Sequence, residues 1–269
     1  RKMKLYVIEL KKILQRRSTW VLTGFMLVLT VVYGQLEIHN KQNMIVEFGQ
    51  LAGYRRFLDL SGLFIVCAFL VEIIVLASYY CEDRQDKVDV FILTAKRGKL
   101  YDYAVRVSVT LAFVICLNII MLMAAFVICH VNYGYTGGGL PVREMHMLST
   151  LEEKNIFTLI CMYLFNVFNA SIMLSALVVC ISTMSKNSIH SFIVIVGVVF
   201  LPVMLEGIFK NGQMNIGYTF ITSQPVMLIA ERCLLESGPV YGLHIFISYL
   251  CSIVACCVGG KKWCSVPKE

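Results

Sequence analysis

The stretch 156–184, IFTLICMYLFNVFNASIMLSALVVCISTM, decides the fold of this chain. It contains no acidic or basic residue, and it is longer than the roughly 20 apolar residues that cross a bilayer core of about 30 Å. Its apolar residues run continuously, whereas a strand of a membrane barrel alternates over about ten residues. The stretch therefore predicts a transmembrane α-helix.

Five further stretches are of the same kind. The six predicted spans are residues 18–36, 60–80, 107–131, 156–184, 189–209 and 240–258. The composition agrees with them, because 58% of the residues are hydrophobic, only 15% are charged and the mean hydropathy is +0.74, which is far from the values of a soluble domain. We predict an all-α polytopic membrane protein with a single transmembrane domain over residues 1–269.

Two segments outside the spans also have predicted structures. Residues 1–17 place an apolar stripe along one side of a helix and charged residues, among them Glu9, elsewhere; the stripe consists of Met3, Tyr6, Val7, Leu10, Ile13 and Leu14. This pattern predicts an amphipathic helix lying along the inner membrane surface. Residues 210–239 mix apolar residues with glycines, polar side chains and Pro225. This pattern predicts short, broken, re-entrant outer helices before the sixth span, covered by neighbouring spans because irregular backbone is not exposed to lipid.

The basic residues predict the orientation. With six spans, seventeen lysines and arginines fall on the side of both termini and seven on the other. The richer side is cytoplasmic by the positive-inside rule, so both termini are expected in the cytoplasm. The net charge of +7 then follows from topology and from attraction to anionic lipid headgroups, and it requires no nucleic-acid partner.

The chain shows no sequence signature of catalysis or metal binding. It lacks G-x-S-x-G, the phosphate-binding G-x-x-x-x-G-K-[ST] and G-x-G-x-x-G, and its five histidines and eleven cysteines form neither H-E-x-x-H nor C-x-x-C. We assign no catalytic, cofactor or metal residue, so energised work would need an ion gradient or another polypeptide. Cys129 and Cys233 both fall near the outer face, and a disulfide between them is left open.

Four polar residues lie within the predicted spans: Glu72, Asn118, Asn166 and Asn169. Such groups are costly in lipid and face the interior of a bundle. They are either interhelical hydrogen-bond partners, which is the favoured interpretation, or part of a translocation path. Asn166 and Asn169 are three residues apart and share one helix face, which we expect to line an interface with a second permease copy.

A charged segment, EDRQDKVDVFILTAKRGKLYDYAVR at residues 82–106, separates the second and third spans. The predicted orientation makes residues 81–106 cytosolic. Residues 86–94 predict a short helix that exposes charged side chains and offers Val88 and Phe91 as an apolar face for a partner's groove. A solvated loop carrying a positive-inside cluster is the alternative.

Six residues of this segment match the pattern of a known protein family: Glu82, Thr94, Lys96, Gly98, Lys99 and Arg106. Their order and spacing resemble the segment after the second span in permease subunits of the ABC type 2 exporter family, of the bacterial six-span type, where a coupling helix follows a glutamate. The likeness extends to the amino-terminal helix, the six spans and the broken segment before the last span. It therefore covers essentially the whole chain.

The resemblance implies a permease that pairs with a second copy or a paralogous permease, in contact with membrane lipids, on separately encoded cytosolic ABC ATPase subunits. ATP and Mg would be bound by the ATPase, and this chain would bind no cofactor and have no enzymatic site of its own. The residues implied in ATPase docking are Glu82, Asp86, Lys87, Val88, Asp89, Val90, Phe91, Lys96 and Lys99.

The expected function is export of a hydrophobic or amphipathic substrate, whether lipid, peptide or drug-like, across the bacterial cytoplasmic membrane. Two alternatives remain from the residues themselves. One is a secondary transporter or channel driven by an ion gradient, and the other is a membrane immunity or sensor protein without transport activity.

Overall fold

The computed structural model describes residues 2–40, 51–85, 98–145, 153–185, 187–209 and 238–265, which are almost wholly α-helical. Seven α-helices follow one another in these ranges: α1 Lys2–Leu14, α2 Arg17–Asn40, α3 Ala52–Gln85, α4 Gly98–Tyr133, α5 Ile156–Met184, α6 Ser188–Phe209 and α7 Gly238–Cys264. A short 3-10 helix, Val142–Met145, and an isolated bridge between Pro141 and Asn155 lie between α4 and α5. The all-α prediction is confirmed.

Five of the described helices are long and apolar enough to cross a membrane, namely α2, α3, α4, α5 and α7. They make the chain a multi-pass helical membrane protein. The remaining predicted span, 189–209, coincides with α6, whose characterised apolar part, Ser188–Val199, is shorter than a full span. Six spans therefore remain a prediction.

The helix ends differ in an informative way from those expected. Helix α5 has the predicted bounds, but α3 and α4 extend well beyond 60–80 and 107–131. A hydropathy pattern detects only the apolar part of a helix, whereas polar ends continue as helix when they carry ion pairs one turn apart. Arg55 pairs with Asp59 and Asp102 with Arg106 in this way. The predicted cytosolic segment 81–106 thus contributes its two ends to α3 and α4.

The remaining parts of two predicted segments lie outside the described residues. These are residues 86–97, which include the predicted coupling helix, and residues 210–237, which include the predicted re-entrant helices.

The core of the bundle forms around α3 and α5. Phe64 and Leu76 of α3 and Leu174 of α5 are fully buried, and the Ser61 hydroxyl donates to the Tyr163 hydroxyl oxygen at 2.8 Å across these two helices. Helix α2 lies at the rim of the bundle, where large apolar side chains such as Trp20 are exposed. Helix α7 also exposes one face, which includes Phe246 and Ile253. Exposed apolar faces are expected where a helix meets lipid or another membrane chain.

Helix α3 begins in very close contact with the chain that follows α4. Gly53 lies against the backbone of Gly134, so near that a Cβ atom at position 53 would overlap the Gly134 carbonyl oxygen. Gly134 itself adopts a φ of 71°, in the left-handed region that glycine enters without steric cost. The two glycines together allow the end of α4 to turn over the first turn of α3.

Helix α1 lies within the predicted segment 1–17, but its packed face differs from the predicted apolar stripe. Ile13 is fully buried as the stripe requires, whereas Val7 and Leu14 are exposed. Glu9 was expected away from the stripe, yet it is only 2% exposed. A buried carboxylate needs partners, and those partners come from α3 and α4.

Candidate functional site

Acidic and basic side chains that are buried or partly buried concentrate at three places in the described part of the bundle, which we name by their central residues. The Glu72 site consists of Glu72, Asn118 and Ser171; the Arg106 cluster of Glu9, Lys12, Tyr79, Asp102, Arg106 and Trp263; and the Arg56 cluster of Glu37, Arg55, Arg56 and Asp59. Helix α3 contributes to all three. It carries Arg56 near its start, Glu72 at its middle and Tyr79 toward its end, so the three places lie at one end, the centre and the other end of the bundle.

The Glu72 site joins α3, α4 and α5 at the middle of the bundle. The side-chain amide of Asn118 donates to Glu72 Oε1 at 2.7 Å and to the Val114 carbonyl oxygen at 2.9 Å. Ser171 of α5 lies beside the same carboxyl group. Glu72 and Asn118 are fully buried and Ser171 is nearly so. Glu72 and Asn118, which were predicted to face the interior of the bundle, contact each other there.

A second set of buried polar groups lies where α5 packs on α7. The hydroxyl of Tyr241 donates to Asn166 Oδ1, which makes Asn166 an interhelical hydrogen-bond partner within one chain. Asn169 is three residues further along the same face, and its amide nitrogen and oxygen are buried without hydrogen-bond partners. Ser248, seven residues after Tyr241 on the same side of α7, likewise has a buried hydroxyl without a partner. This face of α5 therefore packs on α7 of its own chain.

The Arg106 cluster holds α1 against α3 and α4. Glu9 Oε2 accepts a hydrogen bond from the Tyr79 hydroxyl at 2.7 Å, and Glu9 Oε1 accepts one from Lys12 Nζ at 3.0 Å. Arg106 Nη2 lies 3.9 Å from the same Oε1. Arg106 Nε donates to Asp102 Oδ2 at 2.9 Å. One guanidinium group thus lies within ion-pair distance of two buried carboxylates.

Aromatic rings complete the surroundings of Arg106. Its guanidinium carbon lies 4.9 Å from the centre of the Trp263 ring and 5.7 Å from that of Tyr79, within the range of cation–π attraction. Trp263 belongs to the last turn of α7. Four helices, α1, α3, α4 and α7, therefore meet at one fully buried arginine.

The Arg56 cluster joins α2 to α3 at the opposite end of the bundle. Arg56 is fully buried, and its Nη2 lies 3.1 Å from Glu37 Oε1 of α2. Its Nη1 lies 3.8 Å from Asp59 Oδ2, one turn along α3. Both carboxylates are about a quarter exposed. In contrast to the Arg106 cluster, the acidic groups here retain access to the surroundings.

We expect Arg56→Ala to lower the free energy of unfolding by about 1–3 kcal/mol, because the change removes a buried partner of two carboxylates. The loss should be smaller than at Arg106, since Glu37 and Asp59 can be solvated after the change. The measurement is the thermal unfolding midpoint of the purified protein in mild detergent. Arg55→Ala is the matched control on the adjacent residue, which is partly exposed and pairs with Asp59 at 3.6 Å, and it should cost less than about 1 kcal/mol. Equal losses for the two variants would contradict the prediction.

Two of the residues predicted to dock an ATPase belong to the described part of the chain, and seven do not. Asp86, Lys87, Val88, Asp89, Val90, Phe91 and Lys96 lie outside the described residues. Glu82 belongs to the last turn of α3. Lys99 is part of the first turn of α4, and its Nζ donates to the Cys264 carbonyl oxygen at the end of α7 at 3.3 Å. Lys99 therefore contacts α7 directly.

Sequence reasoning missed the roles of Glu9, Arg56 and Arg106. Glu9 was placed away from the apolar stripe of the amino-terminal helix, Arg56 was counted only as a charge of the outer side, and Arg106 was used only for orientation and for the family resemblance. Each is almost completely buried. The Asp102–Arg106 and Arg56–Asp59 pairs, spaced four and three residues apart, were visible signals of charge pairing on a helix. Burial of these pairs depends on which other helices cover them, and no local pattern contains that information.

No cluster of three or more histidine, cysteine, aspartate or glutamate side chains suited to a metal ion occurs among the described residues. Cys129 is fully buried and forms no disulfide there. The disulfide with Cys233 that the sequence left open is not tested, because Cys233 lies outside the part of the chain that the structure describes.

No family model, curated protein or solved structure matches this chain.

Proposed function

We propose that this chain is the membrane-spanning permease subunit of an ABC type 2 exporter. The observation that carries the proposal is the Arg106 cluster, which binds together the helix ends that border residues 86–97. In this proposal those residues form a cytosolic coupling segment that docks on a separate ATPase. The family resemblance of residues 82–106 supports the same assignment.

The lengths of the two bordering helices support a projecting segment. Helices α3 and α4 contain 34 and 36 residues, which corresponds to about 50 Å and about 54 Å at 1.5 Å per residue. A hydrocarbon core is about 30 Å thick. Both helices are therefore long enough to cross the membrane and still project beyond it, as a segment that docks on a soluble partner requires.

The Arg106 cluster supplies a path for transmitting motion from that segment. Arg106 and Asp102 lie within the first three turns of α4, and Tyr79 lies within the last two turns of α3. Their shared contacts with Glu9 and Trp263 join these helix ends to α1 and α7. Displacement of the coupling segment by the ATPase would then move four helices together, and buried charge networks of this kind have few alternative arrangements.

The remaining parts of the proposal follow from the charge distribution and the resemblance. The chain has six spans in the bacterial cytoplasmic membrane with both termini in the cytoplasm, and it pairs with a second copy or a paralogous permease. ATP and Mg are bound by the ATPase partner. The exported substrate is hydrophobic or amphipathic.

The test is co-purification of the tagged chain with a cytosolic ATPase that contains a phosphate-binding loop, followed by ATP-dependent transport in proteoliposomes. We expect Asp89→Ala combined with Phe91→Ala to abolish or strongly weaken ATPase association, because truncating a central aromatic anchor costs 2 kcal/mol or more, about thirtyfold in affinity. Arg143→Ala, at an exposed residue of the other end of the bundle, is the matched control and should change nothing. Unchanged ATPase association and transport in the double variant would refute the docking role.

A second candidate function has one observation in its favour. Glu72 is a fully buried carboxyl group at the middle of α3, and acidic residues inside the membrane are typical of ion and proton pathways. A secondary transporter would show substrate flux in liposomes driven by an ion gradient without ATP or an ATPase. Flux that requires both would exclude this candidate.

A further inference from the structure

An open cavity of about 400 Å³ lies between the start of α2 and the last third of α3. Arg16, Ser18 and Thr19, where α1 passes into α2, line its polar end. Apolar side chains such as Phe25 of α2 and Val75 of α3 line the remainder. Phe25 lies six residues beyond Thr19, about 9 Å along the helix axis. The cavity therefore changes from polar to apolar along α2.

The apolar part of the cavity opens toward the outside of the bundle. Val21 and Phe25, which line it, are exposed, and so is a part of Ile74 on the α3 side. Both helices are long and apolar enough to cross the hydrocarbon core. An exposed apolar wall on such helices is accessible to the acyl chains of lipids.

The polar end of the cavity has the features of a segment at the level of the lipid headgroups. Trp20 is exposed there, and tryptophan is enriched at the boundary between hydrocarbon and headgroups. Arg16 and Arg17 directly precede the residues of the first turn. Residues 1–36 contain seven basic residues and one acidic residue, Glu9. This excess of positive charge favours anionic lipids over zwitterionic ones.

The start of α2 provides backbone hydrogen-bond donors. The first N–H groups of a helix have no partner within the helix, and Arg16, which precedes α2, has no side-chain oxygen that could cap them. The Thr19 N–H donates to the Arg16 carbonyl oxygen at 3.1 Å, which leaves the N–H groups of Arg17 and Ser18 outside the helical pattern. Uncapped N–H groups at the start of a helix bind phosphate and other anions.

The side chain of Thr19 lacks the kind of partner that Thr30 and Ser78 have. Those two hydroxyl groups donate to carbonyl oxygens of the preceding helical turn. Thr19 lines the cavity and is only 3% exposed, yet its hydroxyl oxygen is buried without a hydrogen-bond partner. Buried polar atoms without partners are rare in folded proteins and need an explanation. A ligand that accepts a hydrogen bond at this end of the cavity explains it.

We propose that this cavity binds one anionic phospholipid. The phosphate oxygens accept hydrogen bonds from the N–H groups of Arg17 and Ser18 and from the Thr19 hydroxyl, and the Arg16 guanidinium attracts the negative charge. One acyl chain lies in the apolar part of the cavity, against Phe25. The bound lipid thereby joins α2, which lies at the rim of the bundle, to α3 in its core. This assignment does not depend on the proposed transport function.

The test is native mass spectrometry of the purified full chain in mild detergent with equimolar dioleoyl phosphatidylglycerol and dioleoyl phosphatidylcholine. Both lipids have a phosphate and the same acyl chains, but only the first has a net negative charge. We expect one phosphatidylglycerol to be retained with an apparent affinity at least about tenfold higher than that of phosphatidylcholine. A phosphatidylglycerol with a photoreactive acyl chain should label residues 21–25 and 74–78.

The Thr19→Val variant removes the hydroxyl group with little change in shape. It should lower the affinity for phosphatidylglycerol at least about fivefold, because a hydrogen bond to a charged group is lost. The unfolding midpoint of the lipid-free chain should not fall, since the hydroxyl has no partner there. A purely structural role of Thr19 would give the opposite pattern.

Arg16→Gln and Arg17→Gln form a matched pair, because they remove the same charge from adjacent residues and only Arg16 lines the cavity. Arg16→Gln should lower the affinity for phosphatidylglycerol at least about fivefold, and Arg17→Gln should have less than half of that effect. Arg16 also lies 5.9 Å from the centre of the Tyr79 ring. Size-exclusion profiles therefore check the fold of this variant, and Thr19→Val tests the site with that contact intact.

Four outcomes would overturn the assignment. Equal retention of the two lipids would show that the site does not select negative charge. Equal losses in Arg16→Gln and Arg17→Gln would show a diffuse attraction to a basic surface. Displacement of the lipid by millimolar inorganic phosphate would assign the site to free phosphate. A dimer that retains no lipid would assign the cavity to a second copy of the chain. All measurements use the chain without an ATPase, so they are independent of the docking test.

Discussion

Replacing Arg106 with alanine is expected to lower the free energy of unfolding by about 3–5 kcal/mol, the cost of leaving buried charges without their partner. The change removes the guanidinium beside Glu9 and Asp102, whose side chains are both at least 95% buried. It also removes the cation held between the rings of Trp263 and Tyr79. The measurement is the unfolding midpoint in mild detergent, followed by size-exclusion chromatography after heating.

Two further variants separate the loss of charge pairing from a general sensitivity to substitution. Arg143→Ala removes an exposed arginine that pairs with its exposed neighbour Glu144 and should change the free energy by less than about 0.5 kcal/mol. Arg106→Met combined with Glu9→Gln and Asp102→Asn removes the cluster's three most buried charges and should recover part of the stability lost in Arg106→Ala. A triple variant less stable than Arg106→Ala would contradict the charge explanation.

Gly53→Ala is expected to be the other strongly destabilising change, with a loss of about 3 kcal/mol, the upper end of the usual cost of overpacking. The new methyl group would overlap the carbonyl oxygen of Gly134 and lie 3.1 Å from its carbonyl carbon. Both are backbone atoms, so no side-chain rotation relieves the overlap and the start of α3 must move away from the end of α4. The unfolding midpoint and the yield of folded protein report this effect.

Gly62→Ala is the matched control, because Gly62 lies in the same helix and nothing lies within 4 Å of a Cβ atom built there. Alanine is favoured over glycine inside a helix by about 0.5–1 kcal/mol. This variant should therefore be as stable as the parent or slightly more stable. A loss at position 62 that equals the loss at position 53 would show that α3 resists alanine for another reason.

The membrane character of the chain and the position of its best helix were predictable because they depend on local composition. Helix α5 carries no charge over its whole length, so its predicted bounds, 156–184, agree with the structure. The ends of α3 and α4 were not predictable in the same way, since a hydropathy pattern detects only the apolar part of each helix and stops at the first charged residues. Their helices continue through Arg55, Asp59, Asp102 and Arg106 because these side chains pair with each other.

The candidate sites also combine features that local sequence predicts with contacts that depend on how the helices pack. Glu72 and Asn118 were recognisable as buried polar groups because each stands alone in an apolar run. Their hydrogen bond to each other, across α3 and α4, depends on how two helices are rotated and displaced, which no single helix records. The burial of Glu9 was not predicted either, because its partners Tyr79 and Arg106 lie far away in the sequence.

The Arg106 cluster also has a consequence for biosynthesis. A membrane chain is synthesised from its amino terminus, so Glu9 emerges before Tyr79, Arg106 follows in the next helix, and Trp263 emerges after these three. Until α4 has been inserted, the Glu9 carboxylate can pair with Lys12 of its own helix but not with Arg106. The set of contacts around Arg106 that holds helix α1 is therefore complete only after the end of α7 has been made.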